Sequence, residues 1–324
     1  MPALVVAAVA AVAWCGAAAA PAGAQEAALI ARADTLLIAG RVFAAESLYY
    51  DAVRWNSHDP AARLALGRYL ASRGALKVGA VLMEEARYFG GDPRVIAQAL
   101  APVYEQLGDY GALASLPGTP LPYPERARAE WLRDHPPAVI GPDSAWTAYR
   151  VSDSHLLGQV VLHLGADSVL ATIDARQHGL VLDPSWLARR EVRRFASRGA
   201  RGPGDVAAVA LAVRLGVFTL TDVPVRFEPQ HARDGAVLGL DVLAGLAPTF
   251  DPRAGRMLLR RSGDVAPGRG GFRIPTLTTD AGVFVVKTET VFPIGHPDVQ
   301  RYLRQARWTF DARNGVVLVE AGTP

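Results

Sequence analysis

The fold is decided by residues 169–184, which read VLATIDARQHGLVLDP. A run rich in β-branched side chains ends at Asp174, and a second apolar run begins directly after Gly179. Short runs of this kind, bounded by Gly, Asp and Pro, are typical of β-strands. The stretch therefore predicts a strand that ends at an aspartate, a turn, and a second strand that starts after the glycine.

The same character extends through residues 145–262, which we interpret as one β-domain. Further strands are predicted at 156–164, 206–215, 217–220, 223–228 and 257–259. Two short helical pieces interrupt them, near 184–190 and 241–246. About 110 to 120 residues is within the usual range for a domain. The last segment, 263–324, is predicted to be a C-terminal β-hairpin extension.

Two downstream motifs complete a family pattern. Residues 236–243 read AVLGLDVL, and residues 249–259 read TFDPRAGRMLL. In order, residues 156–260 resemble retropepsin-like aspartic proteases, in which a strand ends in Asp-Thr/Ser-Gly and an apolar-apolar-Gly turn, a helix and a hairpin follow. The resemblance implies an all-β acid-protease barrel.

The resemblance also implies roles for four glycines. Gly179 and Gly239 would support the active-site loop. Gly202 and Gly204 lie in the glycine-rich stretch 199–204, where the family has a flap.

In that family each monomer of a homodimer contributes one aspartate, and no metal or cofactor takes part. Two carboxylates about 3 Å apart share one proton because both cannot ionise. Asp174 is the candidate for the catalytic aspartate, but Ala175 replaces Thr/Ser and Arg176 replaces Gly. A guanidinium beside a carboxylate favours its ionised form over a shared proton. Two interpretations stay open: a β-scaffold that lost catalysis, and an active protease.

Another triplet, Asp280-Ala281-Gly282, matches the family better by letter. The runs 272–278 and 283–291 on either side predict paired strands, so Asp-Ala-Gly is interpreted as a hairpin turn.

The C-terminal segment contains a short internal repeat. Residues 309–315 read TFDARNG, which repeats TFDPRAG of 249–255 at an offset of 60 (309 − 249). Duplication and coincidence both account for this repeat.

Residues 25–115 are predicted to be helical and repetitive. Gly40, Gly74 and Gly108 are spaced 34 residues apart (74 − 40 and 108 − 74), and Asp-Pro pairs at 59–60 and 92–93 mark unit boundaries. This period resembles tetratricopeptide repeats, which stack helix pairs and dock partners. An ordinary helical bundle is the alternative. A proline-rich linker with one short helix, 116–144, follows.

The first residues, 1–24, are interpreted as a signal peptide because an apolar, alanine-rich run precedes a small-residue cleavage site at 22–24. An uncleaved membrane anchor is the alternative. Cys15, the only cysteine, falls inside this segment. The mature chain would then have no disulfide and no thiol nucleophile, which is compatible with a periplasmic or extracellular location.

Composition argues against several other functions. The formal net charge is +3, and the densest arginine cluster, 189–201, is interpreted as a solvated face and not as a nucleic-acid surface. The seven histidines form no His-Glu-x-x-His motif, so no metal site is predicted. No dinucleotide loop or Gly-x-Ser-x-Gly elbow is present, and no cofactor is expected.

The sequence thus predicts an α+β multidomain protein: a tetratricopeptide-like helical array followed by a retropepsin-like barrel. The first functional hypothesis is an exported pseudoprotease that binds a peptide or protein partner, with the repeats docking a partner. The second is an active homodimeric aspartic endopeptidase that uses Asp174. A purely structural envelope component is the third. The side chain of Arg176 discriminates between the first two, because it must face away from Asp174 if the site is active. No membrane contact beyond the signal peptide is expected.

Overall fold

The structure is a computed structural model that describes residues 22–117, 121–152, 155–196, 205–228, 235–261, 265, 271–279, 282–287 and 290–320. Most of the predicted signal peptide, the predicted flap with Gly202 and Gly204, and Asp280-Ala281 lie outside the described residues. No helix in the described ranges is long and apolar enough to cross a membrane.

The first part of the chain is helical, as predicted. Its helices are α1 Ala22–Ile38, α2 Val42–Trp55, α3 Pro60–Ser72, α4 Leu76–Tyr88, α5 Pro93–Leu107, α6 Tyr110–Ala114 and α7 Tyr123–Asp134. Gly40, Gly74 and Gly108 each lie between the two helices of a pair and have φ of 79°, 86° and 71°, a left-handed conformation that glycine adopts without steric cost. Asp59 and Asp92 cap α3 and α5 by accepting backbone N–H bonds. The helix pairs follow the predicted spacing, while their membership of the tetratricopeptide family stays a prediction.

The helices of the second pair, α3 and α4, approach closely at two glycines. A Cβ on Gly67 would lie 2.9 Å from the carbonyl oxygen of Gly79, and a Cβ on Gly79 would lie 2.7 Å from that of Gly67. Only residues without a side chain fit at this crossing.

The second part of the chain is rich in strands. In the order of the chain they are β1 Ala138–Ile140, β2 Ser144–Ala148, β3 Arg150–Ser152, β4 His155–Leu164, β5 Asp167–Asp174, β6 Leu180–Leu182, β7 Val192–Ala196, β8 Val206–Leu215, β9 Phe218–Phe227, β10 Ala236–Gly239, β11 Thr249–Asp251, β12 Arg256–Arg260, β13 Phe272–Thr279, β14 Gly282–Lys287, β15 Thr290–Pro293, β16 Trp308–Asp311 and β17 Val316–Val319. A 3-10 helix, Pro184–Ala188, and two short helices, α8 Leu240–Ala244 and α9 Pro297–Leu303, lie between strands.

Six of these strands close into a barrel. The ring runs β4-β5-β10-β6-β9-β8 and returns to β4 through the β8–β4 pairing. Two of its pairings are parallel, β5 with β10 and β6 with β9. The predicted flap falls between β7 and β8, which pair antiparallel with Ala196 opposite Val206.

One predicted break in the barrel is absent. Residues 217–220 and 223–228 were expected to be separate strands, but β9 runs without interruption from Phe218 to Phe227 and stays in one register with β8. Within this strand Asp222 has a positive φ of 52°. Asp tolerates this conformation better than most residues. Its carboxylate accepts a hydrogen bond of 3.1 Å from the indole Nε1 of Trp131.

The C-terminal residues do more than add a hairpin. A second sheet has the order β15-β14-β13-β17-β16-β11-β12-β2. The C-terminal strand β16 pairs with β11, and this sheet also contains β2 from the start of the domain. Phe250 of β11 stacks on Trp308 of β16, with ring centroids 4.2 Å apart. Both residues belong to the same buried cluster as Leu162 and Leu238 of the barrel. The two sheets therefore share one hydrophobic core.

The segment predicted to be a linker is also built into the domain. Helix α7 buries Leu132 in a cluster that includes Val209 of β8. Strand β1 pairs with β9, and Ser144, the last residue of the predicted linker, begins β2 and lies opposite Arg260 of β12.

Candidate active site

The candidate site is the loop from Asp174 to Gly179 at the end of β5. Strand β10 lies parallel to β5 with Gly239 opposite Asp174, and β6 lies antiparallel on the other side of β10. The backbone N–H of Gly239 donates to the carbonyl oxygen of Gly179 over 2.8 Å. A Cβ on Gly239 would lie 2.6 Å from the carbonyl oxygen of Gln177, so the loop can pass this strand only at a glycine. Gly179 itself has φ of 72°.

Arg176 faces Asp174 and binds its carboxylate through three nitrogens. The backbone N–H and Nε of Arg176 donate to Oδ1 over 2.9 and 3.2 Å, and an Nη donates to Oδ2 over 2.9 Å. The bonds to Asp174 raise the pKa of the guanidinium further above its ordinary value. This arrangement is a bidentate Arg–carboxylate pair, the geometry in which such pairs are strongest and most directional.

The pair is asymmetric in its exposure to solvent. The Asp174 side chain is 23% exposed and that of Arg176 is 75% exposed. The cation therefore lies on the solvent side of the pair, and the carboxylate lies on its buried side. In the described part of the chain, Arg176 supplies every hydrogen bond that we find on the Asp174 carboxylate.

Asp241 holds the far end of the loop. Its two carboxylate oxygens lie 3.1 and 3.0 Å from the backbone nitrogen of Gly179, which donates to them. Its Oδ2 also lies 3.6 Å from Nδ1 of His178. The interaction with Asp241 raises the pKa of His178. No role was predicted for Asp241, although its position two residues after the apolar-apolar-Gly turn at 237–239 (241 − 239) marks it in the sequence.

The middle of the loop is covered by the C-terminal strand β14. The N–H of Val283 donates to the carbonyl oxygen of Ala175 over 3.1 Å. A Cβ on Gly282 would lie 2.6 Å from that oxygen and 2.9 Å from Cα of Arg176. Ala175 is therefore only 6% exposed. This contact was not predicted, because the residues around Gly282 indicate only a hairpin turn and carry no local sign of a partner in the Asp174 loop.

The chemistry open to this loop is limited by these contacts. A carboxylate bound by a guanidinium is a paired anion, which can accept hydrogen bonds but is poorly placed to share a proton with a second carboxylate. In the residues that the structure describes, no group of three or more His, Cys, Asp and Glu side chains could hold a metal ion.

No family model matches the chain, and no curated protein matches it. Among solved structures, the chain is similar to a retropepsin-like aspartic protease from Rickettsia conorii, with 16% sequence identity and a TM-score of 0.25. The match covers 38% of this chain and 92% of that one. A similarity this weak says nothing about activity.

Proposed function

We propose that this chain is an exported, retropepsin-like pseudoprotease, whose β-domain binds a peptide or protein without cleaving it. The observation that carries the proposal is the bidentate pair between Arg176 and Asp174. The order of elements supports the retropepsin-like assignment. A closed barrel carries an aspartate at the end of β5, and Gly239, the α8 helix and the β11–β12 hairpin follow in the order that the family has.

The pair works against catalysis because aspartic proteolysis requires two carboxylates that share one proton, with one acting as base on water and the other as acid. A guanidinium stays charged in proteins, so its two hydrogen bonds to Asp174 compete with the contact that a second carboxylate would have to make. A second departure is Ala175, which has no hydroxyl with which to brace the loop across the two-fold axis of a dimer. The loop keeps the family architecture and lacks its proton chemistry.

The helical array would supply the docking surface for a partner in this proposal. Helix α4 exposes Val78, Val81 and Tyr88, of which Tyr88 is 84% exposed. Val81 and Tyr88 line an open cleft with Glu84 and Glu85 of the same helix. Both glutamates are already ion-paired within the array, Glu84 with Arg87 and Glu85 with Arg63. The exposed apolar side chains of α4 therefore suit a peptide with apolar residues.

The decisive measurement is cleavage of unfolded protein substrates at acidic pH by the wild type and by Asp174→Asn. We expect the two proteins to be equally inactive. Cleavage by the wild type that is lost in Asp174→Asn would contradict the proposal and establish Asp174 as a catalytic residue. For the companion variant Arg176→Gly, discussed next, the matched control is Arg190→Gly, at an arginine whose side chain is 94% exposed and lies outside the loop.

The exposure of Arg176 favours one second candidate, an active aspartic endopeptidase whose site is only blocked. A cation that is largely in solvent gains about 0–1 kcal/mol from its ion pair, so it could swing away when substrate binds. In that case Arg176→Gly should raise cleavage activity or pepstatin binding, whereas Arg190→Gly should not. No change in either quantity for Arg176→Gly would remove this candidate.

A further inference from the structure

Two hairpins of the second sheet correspond residue by residue. The first is β11–β12 and the second is β16–β17, and the sequences TFDPRAGRMLL and TFDARNGVVLV align at an offset of 60. Their internal pairing is the same. Thr249 lies opposite Leu258 in the first hairpin, and Thr309 lies opposite Leu318 in the second.

The turns of the two hairpins also correspond in detail. Asp251 accepts the N–H of Ala254 over 3.2 Å, and Asp311 accepts the N–H of Asn314 over 3.1 Å. Each turn then ends in a glycine with positive φ, 60° at position 255 and 58° at position 315. An Asp-x-Arg-x-Gly turn alone is common, but it does not fix the pairing of the flanking strands.

The two hairpins pair with each other through equivalent residues. Strands β11 and β16 are antiparallel neighbours, and Thr249 lies opposite Thr309, its own counterpart. Their hydroxyl oxygens are 2.5 Å apart, and both side chains are buried. When a residue pairs with its own equivalent in an antiparallel ladder, a local two-fold axis passes between the strands, as it does in an isologous interface between identical subunits.

The correspondence continues beyond the hairpins in both directions. At the same offset, Leu243 of α8 and Leu303 of α9 are both buried, and their carbonyl oxygens accept the N–H groups of Leu246 and Ala306. Each helix is also preceded by an apolar residue and a glycine, at 238–239 and 294–295, and here the offset is 56 (294 − 238), four residues shorter than in the hairpins. On the outer sides, β12 pairs with β2 and β17 pairs with β13, both antiparallel.

We infer that residues 294–320 are a shortened second copy of the unit that contains α8 and the β11–β12 hairpin, and that the two copies form a pseudo-dimer within one chain. Strand β14, which precedes the second copy in the chain, lies against the Asp174 loop, because Val283 and Gly282 contact Ala175 and Arg176. It therefore fills the side of the loop on which another subunit would have to bind.

The consequence for assembly follows from this contact. The Ala175 carbonyl already has its donor in the same chain, and Gly282 leaves no space even for one more carbon atom. A second molecule could not bring its own Asp174 to this loop without displacing β14. This statement about a partner rests on the proposed retropepsin-like assignment, whereas the duplication does not.

The test uses the Thr249–Thr309 pair in the full chain, with Cys15→Ser in every variant so that no other thiol is present. The double variant Thr249→Cys/Thr309→Cys places two thiols where hydroxyls now touch, within reach of a disulfide after small shifts. We expect it to lose both free thiols under mild oxidation and to migrate as a monomer on a non-reducing gel. The matched control is an equimolar mixture of the two single variants, refolded together, which should give no cross-linked dimer.

Disulfide-linked dimers, from the double variant or from the mixture, would overturn the inference, because the two hairpins would then pair between molecules. Free thiols in a folded double variant would also overturn it.

A second measurement needs no substitution. Protection of the Val283 amide against hydrogen exchange should be independent of protein concentration. Loss of protection on dilution would show that its acceptor belongs to another molecule. Failure of the proposed function is read separately, from the Asp174→Asn cleavage assay.

Discussion

At the scale of single residues, Asp241 connects the candidate loop to the barrel. It accepts the backbone N–H of Gly179 and lies beside the His178 ring, so one carboxylate fixes two consecutive positions of the loop. The hydrogen bond to Asp241 raises the pKa of His178, while burial of the ring and, less strongly, Arg226 lower it, and Glu105 has a small raising effect. The loop is therefore held partly by a side chain whose charge depends on pH.

This contact predicts a pH dependence of stability. Because the pKa of His178 is higher in the folded state than in the unfolded state, its contribution is full below about pH 6.5, the ordinary value, and is lost as the pH rises through the folded value. We expect the difference in free energy of unfolding between the wild type and His178→Gln to be larger at pH 5.5 than at pH 8. Urea unfolding at several pH values measures it, and Asp241→Asn should abolish the same dependence. A difference that is constant with pH would contradict the assignment.

At the scale of secondary-structure elements, local signals predicted much of what the structure shows. The spacing of Gly40, Gly74 and Gly108 predicted helix pairs, and the run before Asp174 predicted β5. What the sequence could not give is which distant strands pair. The bond from Val283 to Ala175 joins residues 108 positions apart (283 − 175). Neither the loop nor β14 carries a local mark of the other, because strand preferences report a pleated, half-buried surface and not a partner. The orientation of Arg176 was likewise open, since an exposed arginine can point either way.

The crossing of α3 and α4 gives a prediction at this scale. Gly67→Ala should destabilise the protein by about 1–3 kcal/mol, as overpacking does, although alanine favours a helix over glycine by about 1 kcal/mol. The added Cβ would lie 2.9 Å from a backbone oxygen and 3.0 Å from Cγ of Met83. Gly111→Ala in α6 is the matched control, because the nearest atoms to its Cβ are 3.8 Å away. Chemical denaturation compares the two, and equal stabilities would refute the close approach.

At the scale of the whole molecule, the helical array and the β-domain are packed as one body. Tyr49 and Tyr69 of the array share a buried cluster with Leu277 and Val286 of the C-terminal strands. The Arg73 side chain donates to the carbonyl oxygen of Thr276 over 2.7 Å. A shared core of this kind makes separate unfolding of the two parts costly.

We therefore expect a single unfolding transition. The helical signal in far-ultraviolet circular dichroism and the tryptophan fluorescence should change at the same urea concentration. Leu277→Ala, at a side chain that is 4% exposed, should lower both midpoints together, with a loss of about 2–5 kcal/mol. Two separated midpoints in the wild type would show that the array unfolds on its own.

The hydrogen bond from Val283 to Ala175 has a consequence for synthesis of the protein. Ala175, the acceptor, is synthesised before Val283, the donor. The loop that contains Asp174 is therefore made before β14 can pack against it. A premature stop codon or a protease cut between residues 261 and 281 would leave every barrel strand in the chain and still remove the donor that covers this loop. Loss of the C-terminal strands would thus expose the Asp174 loop, although the loop lies more than 100 residues earlier in the chain.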